Sequence, residues 1–484
     1  MKRKILFFLL GLVGLFIFVT VILAFTVSSK QPSSITSKVE INEKAAIKRF
    51  SEAITYKTIS YHDYDQFDYE EFDGFIQFLE KAYPKVHTNL TLEKINEYGL
   101  IYKWTGENPD QNPIGITGHY DVVPVLEGTE SNWEQQPFSG KVVENKIWGR
   151  GTLDDKIGVI GILEAAEYLL EEGYKPSRDM YLMFGFDEEV GGEKGALTIA
   201  NTLKDRGIEF DFVIDEGGAI VENMVPGVTE PVGVVGISEK GYATVELTIE
   251  GSGGHSSQPK ERTNIGRIAS AISKLEETQF PADLRGPGED LFEFVAPEMS
   301  FLMKYVFANK FIYEPIIEKV LLQQPATSAL IRTTIAPTIF QAGEQENALP
   351  EIASAKINLR LMPGDSLEDV KNFIVNIIDD EKIKVSITGN EATKVSSVEG
   401  SEFKAVQQAA RNVYSDAVMA PYLMFAGSDA KHYDLVSRNT YRFLPVQITS
   451  EDLNRMHGTN EHISVENFVN AVKFYAELMM VASK

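Results

Sequence analysis

The hydrophobic pattern changes three times along the chain. From Ile5 to Val27 every position is uncharged, ILFFLLGLVGLFIFVTVILAFTV, directly after the basic start MKRK. About 20 apolar residues span a bilayer. By the positive-inside rule, Lys2, Arg3 and Lys4 predict a cytoplasmic N-terminus, with Ser28 onward outside. A cleaved signal peptide carries an apolar core of ~7–15 residues and a small-x-small site. This run is longer and lacks that site, so residues 1–28 read as a retained transmembrane anchor. Residues 29–44 are Ser-rich and polar, which reads as a linker.

From residue 45 to 240 short apolar strands alternate with helical patterns. Ile114 to Thr117, Tyr181 to Phe186 and Phe212 to Ile214 read as buried strands; Lys156 to Glu172 and Glu193 to Arg206 read as amphipathic helices. That alternation predicts an α/β domain, a mostly parallel mixed sheet sandwiched by helices. At Gly241 the period becomes two. Tyr242 to Glu250 carries Ala243, Val245, Leu247 and Ile249 on one side, and Ala353 to Leu361 and Lys384 to Thr388 alternate likewise. Such strands have one wet face. Residues 241–395 are therefore expected as an inserted α+β domain, and 396–484 as the return to the first sheet. Within the insertion, 280 to about 330 is strongly apolar and predicts extra core helices of the inserted domain.

Composition narrows the chemistry. The chain of 484 residues has 46 Lys plus Arg against 70 Asp plus Glu, a formal charge of −24. An acidic surface repels phosphate backbones, so nucleic acid is not an expected partner. The chain has no Cys. Disulfide scaffolds, thiolate metal sites and a cysteine nucleophile are excluded, and any transition-metal site must use His, Asp and Glu.

Those residues gather where the strands end. GHYD follows the first buried strand with His119 and Asp121; DEEVGG follows the second with Asp187, Glu188 and Glu189; DEGG follows the third with Asp215 and Glu216. Asp154 and Asp155 precede a helix in WGRGTLDDK. Each motif alone has a bland reading: a structural histidine, solvated surface acids, a helix cap for Asp154. Together they are harder to dismiss, because open α/β sheets bind ligands at the carboxyl ends of their strands. Several carboxylates at one edge repel each other unless a cation neutralises them. Imidazole plus carboxylate suits Zn²⁺, Mn²⁺ or Co²⁺, and two ions ~3.5–4 Å apart would account for the number of acids.

The ordered series GHYDVVPV, WEQQPF, WGRGTLDDK, DEEVGG, IDEGG, GGHSSQP, NALP, NLRLMPGD and HGTNEHIS resembles the two-zinc aminoacylase and carboxypeptidase family of metallopeptidases, closest to its carboxypeptidase S and N-acyl amino acid hydrolase branch. The resemblance runs from about residue 45 to the end. It implies a lid or dimerisation role for the inserted domain, and a cofactor of two divalent metal ions, zinc first, with manganese or cobalt as alternatives. His119 resembles a ligand of one ion and Asp121 the acid that orients it. Asp154 resembles the bridging carboxylate, Glu188 the general base and Glu189 a ligand of the other ion. Asp215 resembles a ligand beside His119, with Glu216 as second choice. For the last ligand the pattern HGTNE favours His457 over His432 in GSDAKHY; His462 reads as surface. A cis peptide between Asp154 and Asp155 is also implied.

The resemblance further implies hydrolysis of an amide next to a free carboxylate, in a small peptide or an N-acyl amino acid. Arg360 would bind that carboxylate, Asn347 would hydrogen-bond beside it, and His255, on a lid or a partner subunit of a homodimer, would approach the oxyanion. The apolar 280–330 segment has a sharper alternative reading as a wall for acyl chains or a membrane-facing surface. The competing function is a noncatalytic extracellular binding or receptor protein on the same fold, which the complete metal-and-base set disfavours.

Overall fold

The computed structural model of the chain describes residues 2–259 and 261–483. Its main body is built on a ten-stranded mixed sheet. Three neighbours decide the site. Ile114–His119 lies between Met180–Gly185 and Phe210–Asp215 and is parallel to both. Their residues are buried almost without exception, as strands covered on two faces must be. Because the three run the same way, their acidic carboxyl ends emerge at one edge. Helix Lys156–Glu171 covers one face, and Ala196–Asp205 packs against the other through Ile199 and Leu203. Ser437–Arg442 and Val418–Met424 return to this sheet, the first parallel to Phe210–Asp215 and the second to Val232–Glu239.

A second, four-stranded antiparallel sheet runs Thr334–Ala342, Ile352–Leu361, Gly241–Glu250, Lys384–Asn390. Ala243, Val245, Leu247 and Ile249 are buried on one face beneath helices Asn264–Glu277 and Leu367–Ile378. The alternating pattern thus produces a separate core.

Two segments depart from expectation. Leu284–Ile331 does not extend the core of the four-stranded unit. Leu291, Phe292, Val295, Ile317 and Leu330 join the core of the main body instead, and helix Pro287–Val295 covers the edge strand Val418–Met424. Apolar periodicity marks these residues as buried but does not say against what. Residues 29–41 contain no helix or strand, yet they are not a free linker. The Gln31 side chain accepts from Met419 N at 2.8 Å and donates to Met419 O at 2.9 Å, closing off that sheet edge. Ser37 N donates to Asn412 O, and Val39 is buried.

Two distant loops are tied together beside the sheet edge. Lys146–Trp148 pairs antiparallel with His462–Ser464, which brings the 149–155 loop against the 456–461 loop. Glu461 is fully buried between them. It accepts from Gly151 N at 2.9 Å, Leu153 N at 2.8 Å and the Arg150 guanidinium, itself buried. Burial pushes Glu461 up to about 7 against the pull of Arg150. Glu461→Ala leaves Arg150 Nη1 and two amides without an acceptor, with only the Nη2 bond to Gly458 O remaining to the guanidinium, and is expected to cost about 3–5 kcal/mol, as breaking a buried ion pair does. Glu461→Gln, which keeps the shape and one acceptor, is expected to lose less. Urea unfolding of the detergent-solubilised chain measures both, and midpoints equal to the parent's would show that the knot holds nothing.

Candidate metal centre

His119 closes strand Ile114–His119 with its ring fully buried. Its Nδ1 lies 3.1 Å from the carbonyl oxygen of Asp121. A carbonyl only accepts, so Nδ1 carries a proton and Nε2 is aimed into the site. The Asp121 carboxylate also holds the next strand's turn: it accepts from Ser60 Oγ at 2.7 Å, Glu188 N at 3.1 Å and Glu189 N at 3.2 Å. One buried acid thus sets both the imidazole and the acidic pair. The DEEVGG turn closes on Gly191 and Gly192, both at positive φ, and a Cβ on Gly192 would sit 2.1 Å from Asp429 Oδ1.

Asp154 occupies the middle. The Asp154–Asp155 peptide is cis, as the resemblance implies. Asp154 Oδ1 is 3.1 Å from His119 Nε2, and Asp154 Oδ2 is 3.0 Å from His457 Nε2. Its two oxygens therefore face two imidazoles. Glu189 Oε2 is 3.1 Å from the same His457 nitrogen, and Glu188 Oε2 is 4.0 Å from His119 Nε2. Asp154 is not a helix cap: Asp155 caps Lys156–Glu171 by accepting from Gly158 N, and it also accepts from His119 N.

The remaining candidates divide. Asp215 ends its strand buried, with neither oxygen hydrogen-bonded; Glu216 lines the cleft beside Asp154, Glu188, Glu189 and His457. Both stay open as ligands. His432 donates from Nε2 to Gly191 O at 2.9 Å and belongs to the turn. His462 is not at the surface; it is buried with its ring 4.2 Å from that of Trp148. Glu461, to which the sequence reading assigns nothing, is the residue that holds the Asp154 and His457 loops in register. It stands inside the HGTNEH motif, the one signal that points to it.

Charge describes what the cluster lacks. Burial, with the neighbouring acids, pushes Glu188 and Glu216 well above the carboxylate range, and burial raises Glu189 and Asp215 as well. Burial acts on Asp154 in the same sense, but hydrogen bonds from His119 and His457 outweigh it and hold it low. His457 is pushed up to about 10 by its hydrogen bonds to Asp154 and Glu189. His119 is raised well above its ordinary value, because Asp121 and Asp154 overcome the opposing burial. His119 hydrogen-bonds to Asp154, and His457 to Asp154 and Glu189. Divalent ions would also satisfy the orphaned oxygens of Asp215 and Glu189 Oε1. Among the described residues, ligand atoms of His119, Asp154 and Glu189 lie within 4.8 Å of one another.

The substrate candidates do not join this cluster. His255 and Asn347 are exposed on the ribbon that pairs Gly254–His255 with Ala348–Leu349. Neither lines the cleft. Arg360 comes closer, donating from Nη1 to Phe425 O at 2.9 Å, and Phe425 is part of the cleft wall. The cleft holds about 370 Å³. A smaller apolar cavity of about 110 Å³ adjoins it through the shared residues Val221, Met224, Val234, Tyr422 and Phe425, and reaches Leu291, Phe292 and Leu330.

Residues 115–481 match the profile of peptidase family M20/M25/M40. The probable carboxypeptidase S-like 2 of Dictyostelium discoideum is 39% identical over 459 residues, covering 94% of this chain and 88% of its own. An N-fatty-acyl-amino acid synthase/hydrolase of Xenopus tropicalis is 35% identical over 481 residues, covering 97% and 93%. Among solved structures, an M20 family metallo-carboxypeptidase from Sulfolobus solfataricus shares the fold at a TM-score of 0.65 and 20% identity, covering 90% of this chain and 99% of that one. The chain belongs to peptidase family M20/M25/M40 and is a hydrolytic enzyme.

Proposed function

We propose that the protein hydrolyses an amide next to a free carboxylate, with an N-acyl amino acid as the favoured substrate and a small peptide as the alternative. One observation carries the chemistry: a single carboxylate, Asp154, is shared by two imidazoles while a further acid, Glu188, stands 4.0 Å away from one of them. His119 and Asp215, with Glu216 as second choice, would hold one divalent ion, Glu189 and His457 the other, and Asp154 both. When bound, such a pair of zinc, manganese or cobalt ions supplies Lewis-acid activation of water and of the amide carbonyl.

The chain's own residues do the rest. Glu188 lies outside both ligand sets, and burial has raised its proton affinity. Its Oε2 removes the proton of the attacking water and returns it to the leaving nitrogen. Asp121 keeps the Glu188–Glu189 turn in place, so the two neighbours take different jobs. Arg360, held at the cleft wall by Phe425, is the proposed carboxylate anchor. His255 and Asn347 would reach the substrate when the four-stranded domain closes, or from a second copy in a homodimer. The acyl preference rests on the apolar cavity beside the cleft, and the name of the Xenopus relative supports it. Helix Lys2–Thr26 is long and apolar enough to cross a membrane. We read it as an anchor with a cytoplasmic N-terminus and the catalytic body outside.

Glu188→Gln is expected to lower kcat about 10²–10⁴-fold, the usual contribution of a general base, with metal content measured by atomic emission equal to the parent's. A variant that keeps full turnover would remove Glu188 from the mechanism. Chelation is expected to abolish activity and lower the unfolding midpoint, because the ion contributes about 2.7 kcal/mol at a hundredfold excess over Kd; added zinc, manganese or cobalt should restore both. Across N-acyl amino acids from acetyl to oleoyl, kcat/KM is expected to rise up to about fourfold per methylene while the chain fills the cavity, from ~0.8 kcal/mol per buried CH₂. A flat series would return the preference to short peptides.

A further inference from the structure

The N-terminal helix does not stand clear of the body. Thr20 and Ala24, one turn apart, are its buried residues. Tyr305 donates from its hydroxyl to Thr20 Oγ1 at 2.9 Å, and Asn309, itself fully buried, donates from Nδ2 to Thr20 O at 3.0 Å. Phe25 and Phe301 meet at 5.2 Å between ring centroids. Polar side chains that bond across helices in this way are a habit of membrane helix pairs. The helix exit is also fixed. Lys30 pairs with Glu293 at 3.0 Å, and Gln31 is bound to Met419. The body therefore begins within a few residues of the helix end and cannot float away from it.

Depth follows from arithmetic. Lys4 marks the near edge of the hydrocarbon, and Thr20 lies fifteen residues beyond Ile5. At 1.5 Å per residue that is ~22 Å into a layer ~30 Å thick, leaving Thr20 about 8 Å below the far surface. Whatever touches Thr20 shares that depth. Helices Phe301–Ala308 and Lys310–Leu321 are attached there, and they present Phe301, Leu302, Phe311, Ile316 and Val320 outward, with Leu302 70% and Phe311 67% exposed. In water such a patch has a hydrophobic cost; against lipid it has none.

We propose that these two helices form an interfacial hairpin embedded in the leaflet on the catalytic side of the bilayer, packed against the N-terminal helix. The occupant of the exposed apolar face is lipid acyl chain. Interfacial helices bury their apolar side ~5–10 Å deep, which agrees with the depth of Thr20. Exposed Glu314 and Lys319 on the second helix belong at headgroup level and rule out a spanning segment. Phe292 lines both the apolar cavity beside the cleft and the hollow at the foot of the N-terminal helix, so the seated hairpin brings that cavity beside the lipid. The proposal rests on the reading of Lys2–Thr26 as a membrane anchor.

The absence of native Cys makes a direct test available. Phe16→Cys, Leu302→Cys, Phe311→Cys and Glu381→Cys are made singly in the full chain, labelled with an environment-sensitive fluorophore and reconstituted in phosphatidylcholine vesicles. Doxyl-labelled lipid quenches from within the bilayer and iodide from water. Labels at 16, 302 and 311 are expected to be quenched by doxyl lipid and protected from iodide, with the reverse at 381. Iodide quenching at 302 and 311 with lipid quenching at 16 would overturn the hairpin and keep the anchor. Iodide quenching at 16 would overturn both.

Discussion

The structure is organised around uncompensated negative charge. Acidic groups from the ends of three parallel strands and from two loops meet at one sheet edge, where burial raises the cost of each ionised carboxylate. No Lys or Arg is hydrogen-bonded to Asp154, Glu188, Glu189 or Asp215 among the described residues; His119 and His457 alone bond into the cluster. A fold that gathers such groups without a resident cation would lose stability for nothing. The arrangement fits a metal site, with ligand atoms of His119, Asp154 and Glu189 within 4.8 Å of one another, and Asp215 lies buried at its edge with both carboxylate oxygens unpartnered.

Buried hydrogen bonds to Asp121 and Glu461 hold these groups in place. Asp121 couples the imidazole of one strand to the acidic turn of the next. Glu461, with Arg150, fastens the loop that carries Asp154 to the loop that carries His457. His457 itself sits at φ +57°, in the left-handed region that a non-glycine residue keeps only when its surroundings insist. Precision at the centre is thus achieved by buried hydrogen bonds one layer out.

The same division of labour holds at larger scale. The main sheet carries the acids, the four-stranded sheet carries Arg360, the two-stranded ribbon carries His255 with Asn347 beside it, and the apolar 284–331 segment joins the main body to the N-terminal helix. Of the substrate candidates only Arg360 touches the cleft wall. The acidic cluster is built into one rigid sheet, whereas substrate contacts depend on how a second body approaches it.

The strands and their acidic ends were legible in the sequence because a buried strand declares itself by an unbroken apolar run, and the polar residue that follows must leave the sheet. Period-two alternation likewise announced the second core, down to Ala243, Val245, Leu247 and Ile249. Three things were not legible. His462 reads as surface, yet it is buried against Trp148, a partner 314 positions away. Residues 29–44 read as linker, yet Gln31 bonds along a sheet edge. The helices of the apolar 280–330 stretch read as part of the inserted core, yet from Leu284 on they pack on the main body. Local pattern reports whether a side chain seeks water or avoids it, a property of the residue and its neighbours. Which surface receives it depends on contacts between positions hundreds of residues apart, and only the folded chain decides those.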